Sequence, residues 1–281
     1  MLYRTFLHLP GVDQDFERHL WQVGCRTWWH LLEAQSLEDV SSRRLSFWRR
    51  RLEEQLLRRK DLAFFARLLP RREHWRLYKH FLEEAVFVDI ETDGLNRYQN
   101  QVTVLGVLDR NGYRAYVAGK DLEEGVRRLK EARFWVTFGG SFFDWPFLKA
   151  HYPWLPKPLV HLDLCPLLKR LGLKGGLKKI ERYLGLGRPE EVDGLDGKAA
   201  VRLWRRWRRQ KDEKALATLI AYNREDVLNL SLLAELAYSG LTYLTLTGKR
   251  PALRVSTRNR GGQGPYGPGE PVQEMSYGKA P

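Results

Sequence analysis

Hydrophobic and polar positions change their period partway along this chain. Up to residue 84, apolar residues recur three and four apart, as on amphipathic helices: Phe16, Leu20 and Val23, then Leu45, Trp48, Leu52, Leu56 and Leu57. Gly24 is placed to close the first helix, and a second is predicted to start near Thr27. Pro70 breaks the next run, and REHWRLYKHFLEE (72–84) predicts a further helix. At Ala85 the pattern becomes that of a strand. In AVFVDIETDGL (85–95), Val86, Val88 and Ile90 line one face and Phe87, Asp89 and Glu91 the other. QVTVLGVL (101–108) and YRAYV (113–117) predict two more strands, with Asn111-Gly112 as a positive-φ hairpin turn. DLEEGVRRLKEA predicts a helix opened by an Asp121/Glu124 capping box. FWVTF (134–138) and PLVHLDL (158–164) predict buried strands flanking GGSFFDWPFL, a sharp turn into a helix. The segments from Leu167 to Tyr238 are helical, and Leu216, Ile220, Val227, Leu230 and Leu233 form the core stripe of the last. The order β-β-β-α-β-α-β-α predicts an α/β fold with a mixed sheet and helices on its faces.

Composition adds a partner class. Lys and Arg number 48 against 34 Asp and Glu, a net charge of +14 with an isoelectric point near 9.8. A surplus of this size points to a polyanion, nucleic acid first. Two distant cysteines, Cys25 and Cys165, exclude a zinc ribbon or a disulfide framework. The N-terminus lacks the basic and apolar regions of a signal peptide, and no apolar run approaches the ~20 residues of a spanning helix. The expectation is a cytoplasmic protein without a membrane partner. Three regions are predicted: a helical N-terminal region (1–83), an α/β domain (84–240), and a basic Gly/Pro-rich tail (241–281) too poor in aliphatic residues to fold alone. Residues 5–34 resemble a helix-hairpin-helix element. That hairpin's second glycine, however, is either replaced by Asp13 or missing, and an acid there would repel phosphate.

Chemistry concentrates in three stretches. Asp89 and Glu91, one strand-step apart on the same face, are costly to bury without a cation, and a hard divalent ion is the simplest. Asp144 sits at a helix start among aromatics, and Tyr222 and Asp226 are one turn apart on the last helix. Taken singly, these read more readily as a rim pair, a helix cap and surface residues. Their joint order, DIETDG, then GGSFFDWPFL, then YNRED, resembles the DEDD exonuclease superfamily over about residues 84–238, in its tyrosine branch, DEDDy. HLDL, GGLKKIERYLGLGRPEEVDG and LIAYNREDVLNLSLL are most similar to the YprB-like ribonuclease H-like family.

The resemblance implies a ribonuclease H-like sheet (order 3-2-1-4-5) and 3′→5′ exonuclease activity on DNA or RNA, in nucleic-acid repair or processing. It also implies two divalent cations, Mg²⁺ or Mn²⁺, held by Asp89, Glu91, Asp144 and Asp226, with Tyr222 orienting the attacking water. Asp89 would bridge both cations and Asp144 would act largely through water. By the same resemblance, Thr92 would offer backbone contacts to the terminal nucleotide and Leu95 would wedge against its base, while Phe143 would pack against either the nucleotide or the core, the core being the commoner place for such a ring. Lys178, with Lys174, Lys179 and Arg188, reads equally as a phosphate-tracking group or as a solvated helix face. The second motif is similar to the YNGxxFDxPxL form of family-B polymerase proofreading domains, which carries Asn where this chain has Gly139, a departure that bears on rate or substrate preference rather than on the ligands. A structure-specific endonuclease on the same fold and a non-catalytic nucleic-acid-binding or adaptor module are the alternatives. A need for a free 3′ end makes a helicase or repair partner compatible with this reading.

Overall fold

The computed structural model describes residues 1–253, so residues 254–281 of the tail expected at 241–281 lie outside the described residues. The chain divides between Leu82 and Glu83 into two compact units.

The first unit contains α1 (Gln14–Gln22), α2 (Trp28–Glu33), α3 (Ser42–Leu57) and α4 (Leu62–Leu68). Each starts on a side-chain cap: Asp13, Thr27, Ser41 and Asp61 accept from the N–H groups of Phe16, His30, Arg44 and Phe64. Asp13 therefore has a helix-capping job, which explains the acid in the turn. α3 buries Leu45, Trp48 and Leu52 as expected, but Gln55 takes the next inward position and Leu57 is 84% exposed. The segment after Pro70 is also not the predicted α-helix. It opens as a 3₁₀ helix, Arg71–Leu77. That winding eclipses positions three apart, which stacks Glu73 and Arg76 on one side, with Arg76 Nε 2.8 Å from Glu73 Oε2. Arg76 also pairs with buried Glu17 at 3.0 Å, while Glu17 accepts from the Thr5 hydroxyl at 2.6 Å and the Phe6 N–H at 2.7 Å. The core of this small unit is thus built around a buried Glu17–Arg76–Glu73 ion network as well as around tryptophans.

The second unit is a five-stranded sheet, β3-β2-β1-β4-β5. Its strands are β1 (Ala85–Thr92), β2 (Val102–Asp109), β3 (Gly112–Val117), β4 (Phe134–Thr137) and β5 (Val160–Asp163). β1, β2 and β3 pair antiparallel, whereas β4 and β5 run parallel to β1. Helices α5 (Leu122–Glu131), α6 (Asp144–His151), α7 (Leu164–Arg170), α8 (Leu177–Leu184), α9 (Gly197–Gln210) and α10 (Glu213–Thr247) flank it. On one face Val88, Ile90, Leu105 and Val107 pack with Leu129 and Phe147 of α5 and α6. On the other, Val104 and Val117 meet Trp204, Trp207, Leu216 and Leu219 of α9 and α10. This is the mixed α/β sheet and strand order that the sequence led us to expect.

Four local expectations need correction. The β2–β3 hairpin turns at Arg110–Asn111, and positive φ falls on Gly112 alone, at 97°. Asp121 makes no side-chain cap, because its carboxylate instead accepts from the Val117 N–H at 2.7 Å across the preceding turn. α10 continues to Thr247, so the first part of the stretch assigned to the tail is helical. Finally, α10 is long and apolar enough to cross a membrane by composition, but 56% of that window is buried inside the protein. It is a helix laid against the sheet, apolar because so much of it is packed.

Candidate active site

β1 delivers Asp89 and Glu91 on the face that meets α10, and α10 returns Tyr222 and Asp226 toward them. One carboxylate oxygen from each of Asp89, Glu91 and Asp226 lies within 4.8 Å of the others. Glu91 and Asp226 are buried. Burial, followed by repulsion from Asp226 and other neighbouring acids, pushes Asp89 and Glu91 well above the ordinary carboxylate range. A metal-free group of this kind favours protons or a cation.

Asp144 stands beside this group rather than in it. The turn that presents it depends on Asp163, at the end of β5, whose carboxylate accepts from Gly139 N–H at 2.8 Å and Ser141 N–H at 3.1 Å. Gly139 has φ 73°, a left-handed conformation that glycine enters freely and asparagine more readily than most residues. Gly139 therefore meets the conformational demand of this turn without strain. Asp144 then opens α6, and its Oδ1 accepts from the Ile90 N–H of β1 at 3.1 Å. That bond fixes it to the strand carrying Asp89 and Glu91. Burial raises its pKa to about 7.

Tyr222 is buried, and burial together with Asp226, Glu91 and Asp89 pushes its hydroxyl above its ordinary value. It stays protonated at neutral pH, a hydrogen-bond donor rather than a base. Lys178 on α8 lies 4.0 Å over the Tyr222 ring and places Nζ 3.0 Å from Asp226 Oδ1. Arg188, expected among the phosphate-tracking residues, is only 5% exposed and pairs with Glu181 and Asp226. Its position is structural, inside the site's wall.

The softer candidates separate. Leu95 and Phe143 line a common cleft of about 350 Å³ with Arg97, Tyr98 and Phe142. Leu95 is 86% exposed, whereas Phe143 packs partly against the core, 5.3 Å from Phe147. Thr92 is outside that lining, and its hydroxyl donates to Gly94 O at 2.7 Å, shaping the chain just after the acids.

Asn223 escaped the sequence reading. Its Nδ2 donates to Asp89 Oδ2 at 2.8 Å, and Tyr113 donates to its Oδ1 at 2.9 Å. The signal was Gly106 in the middle of β2, where an added Cβ would stand 1.9 Å from Asn223 Oδ1. A strand glycine marks close approach by another group. Asp163 and Glu181 were likewise missed as site-shaping acids.

A profile of the RNase_H superfamily matches residues 86–238, the span that carries all of these groups. An uncharacterised protein of Methanocaldococcus jannaschii is 26% identical over 162 residues, covering 50% of this chain and 87% of its own. Among solved structures, the family B DNA polymerase of the hyperthermophilic archaeon Pyrobaculum calidifontis aligns at 21% identity with a TM-score of 0.44, over 57% of this chain and 25% of the polymerase. Brucella melitensis NrnC aligns at 20% identity with a TM-score of 0.41, over 61% of this chain and 80% of its own.

Proposed function

The chain belongs to the RNase_H superfamily, and from that premise we propose that it is a metal-dependent nuclease, specifically a DEDDy-type 3′→5′ exonuclease acting on DNA or RNA. The observation that carries this reading is the gathering of Asp89, Glu91 and Asp226 within 4.8 Å, with Asp144 bonded to the same strand. An all-oxygen, carboxylate-rich donor set suits hard divalent cations, so Mg²⁺ or Mn²⁺ fits these residues. When bound, a pair of such ions supplies an activated water on one side of the phosphodiester and charge stabilisation at the leaving 3′-oxygen on the other.

Asp89, held by Asn223, would be the central ligand, with Glu91 and Asp226 beside it and Asp144, bonded to the Ile90 N–H of the same strand, completing the acidic set. The protonated Tyr222 hydroxyl donates a hydrogen bond that orients the attacking water. The cleft at Leu95 and Phe143 takes the terminal nucleotide, and Thr92 fixes the backbone between that cleft and the acids. Lys178, part-exposed beside Asp226, is in this reading a basic group that engages the substrate phosphate. The basic charge of the chain favours the polyanionic substrate throughout.

The test uses end-labelled single-stranded, duplex and 3′-overhang DNA and RNA with Mg²⁺ or Mn²⁺. Stepwise shortening from the 3′ end, abolished in Asp89→Ala and Asp226→Ala, is the expected result. Tyr222→Phe should lower the rate by ~10²-fold with substrate affinity retained, in line with the removal of one positioned donor. Discrete internal cuts would replace the exonuclease with an endonuclease. Absence of any metal-dependent cleavage would leave a binding module.

A further inference from the structure

Asp226 lies within a 35-residue helix, where an aspartate has rotamer freedom to lose before it can serve as a ligand. Its Oδ1 accepts from Arg188 Nη2 and, at 3.0 Å, from Lys178 Nζ. Its Oδ2 stands farther off, 3.5 Å from the same lysine. The two cationic side chains are held differently. Lys178 is 31% exposed at its side chain and has a flexible stem. Arg188 is buried and fixed by a two-point fork on Glu181: Nη2 is 2.6 Å from Oε1 and Nε is 3.0 Å from Oε2. Glu181 is itself anchored to the helix of Asp226, because Asn229 Nδ2 donates to its Oε1 at 2.9 Å. Asn229 follows Asp226 by three positions and therefore shares its helix face.

Local sequence explains how Arg188 reaches this place. Gly185 ends α8 in the left-handed conformation, φ 72°, and Leu186 N–H bonds back to Glu181 O at 2.9 Å. The chain reverses there, and GlyArgPro carries the guanidinium back over Glu181. Glu181 offsets the charge of Arg188, so the pair brings a fixed hydrogen-bond donor to Asp226 without adding net positive charge beside a cation site.

We propose that Arg188 is a positioning residue for metal binding: the Asn229–Glu181–Arg188 chain pins Asp226 by Oδ1 and presents Oδ2 to the divalent cation. The inference rests on the metal-dependent reading above. Hydrogen-bonded partners of ligating carboxylates typically alter metal affinity by roughly 10–100-fold when changed.

The experiment titrates Mn²⁺ into the full-length protein and follows free Mn²⁺ by electron paramagnetic resonance, alongside the Mn²⁺-induced rise in unfolding temperature. Arg188→Lys keeps the charge and removes the fork. It should bind Mn²⁺ roughly 10–100-fold more weakly, with the circular dichroism of the metal-free protein unchanged. Asn229→Ala, which leaves Arg188 in place, should weaken binding in the same direction by less, and it carries the test if Arg188→Lys fails to fold. Wild-type affinity in both variants overturns the inference. Tighter binding in Arg188→Lys also overturns it, by making Arg188 a competitor of the cation. If the wild-type protein itself binds no Mn²⁺, the metal-dependent reading falls with it, a distinguishable failure.

Discussion

Burial pushes the Asp144 carboxyl up to about 7, although its Oδ1 accepts from the Ile90 N–H. In an unfolded chain an aspartate titrates near ~3.9. Between those values the folded protein holds a proton that the unfolded chain has released. The resulting stability is fully present below the unfolded value and is lost as pH rises through about 7. Asp89 and Glu91, also raised, act in the same direction. With chelator present, the unfolding temperature of the wild-type protein should therefore fall between pH 5 and 8. Asp144→Asn keeps the acceptor for Ile90 and carries no titrating proton, so its unfolding temperature should fall less over the same range. Parallel slopes for the two proteins in thermal melts would rule out Asp144 as the titrating group. Saturating Mg²⁺ or Mn²⁺ should flatten the wild-type slope, because a cation replaces the protons as the neutralising charge.

At the level of elements, the site depends on how closely α10 approaches the sheet. Gly106 makes that approach possible, since a Cβ there would also stand 2.9 Å from Val227 Cγ2. Gly106→Ala should therefore cost ~1–3 kcal/mol by overpacking and displace Asn223 from Asp89. Urea unfolding would measure the first effect, and a fall in metal-dependent turnover larger than the stability change explains would report the second. An unchanged midpoint would show that α10 yields without cost. The same close approach illustrates what sequence made legible. Strand alternation in β1 put Asp89 and Glu91 on one face, and helical spacing put Tyr222 and Asp226 on one side of α10, because both follow from backbone period alone. Asn223, Arg188 and Glu181 were harder to read, since their roles arise from side chains meeting across elements far apart in sequence. The Asp121 cap failed for a different, local reason: the pattern had two possible backbone partners, and the carboxylate takes the Val117 N–H of the turn from β3. In the first unit, the pattern foretold helices but missed the 3₁₀ winding after Pro70, where a buried Glu73–Arg76 pair governs the local geometry.

Over the whole molecule, a net charge of +14 should make nucleic-acid binding electrostatic and separable from turnover. The arginines of α3 cannot all contribute equally. Arg44 donates to Gly11 O at 2.7 Å and lies over the Phe16 and Trp48 rings. Arg51 pairs with Glu54, and Arg49 reaches Leu31 O at 3.4 Å. Arg43 and Arg50 are exposed on the same helix and are the better candidates for engaging phosphate. Asp89→Ala, measured without metal, should bind single-stranded oligonucleotide with an affinity that drops roughly twentyfold between 50 and 200 mM salt, as about three neutralised phosphates would give. Adding Arg43→Ala and Arg50→Ala should make the slope of log affinity against log salt shallower by ~0.7 for each phosphate no longer neutralised. Placed in the otherwise wild-type chain, the same two substitutions should leave the rate at saturating substrate unchanged, because neither residue belongs to the carboxylate site. A salt slope that does not move would make α3 a solvated face and assign the electrostatic attraction to other basic residues.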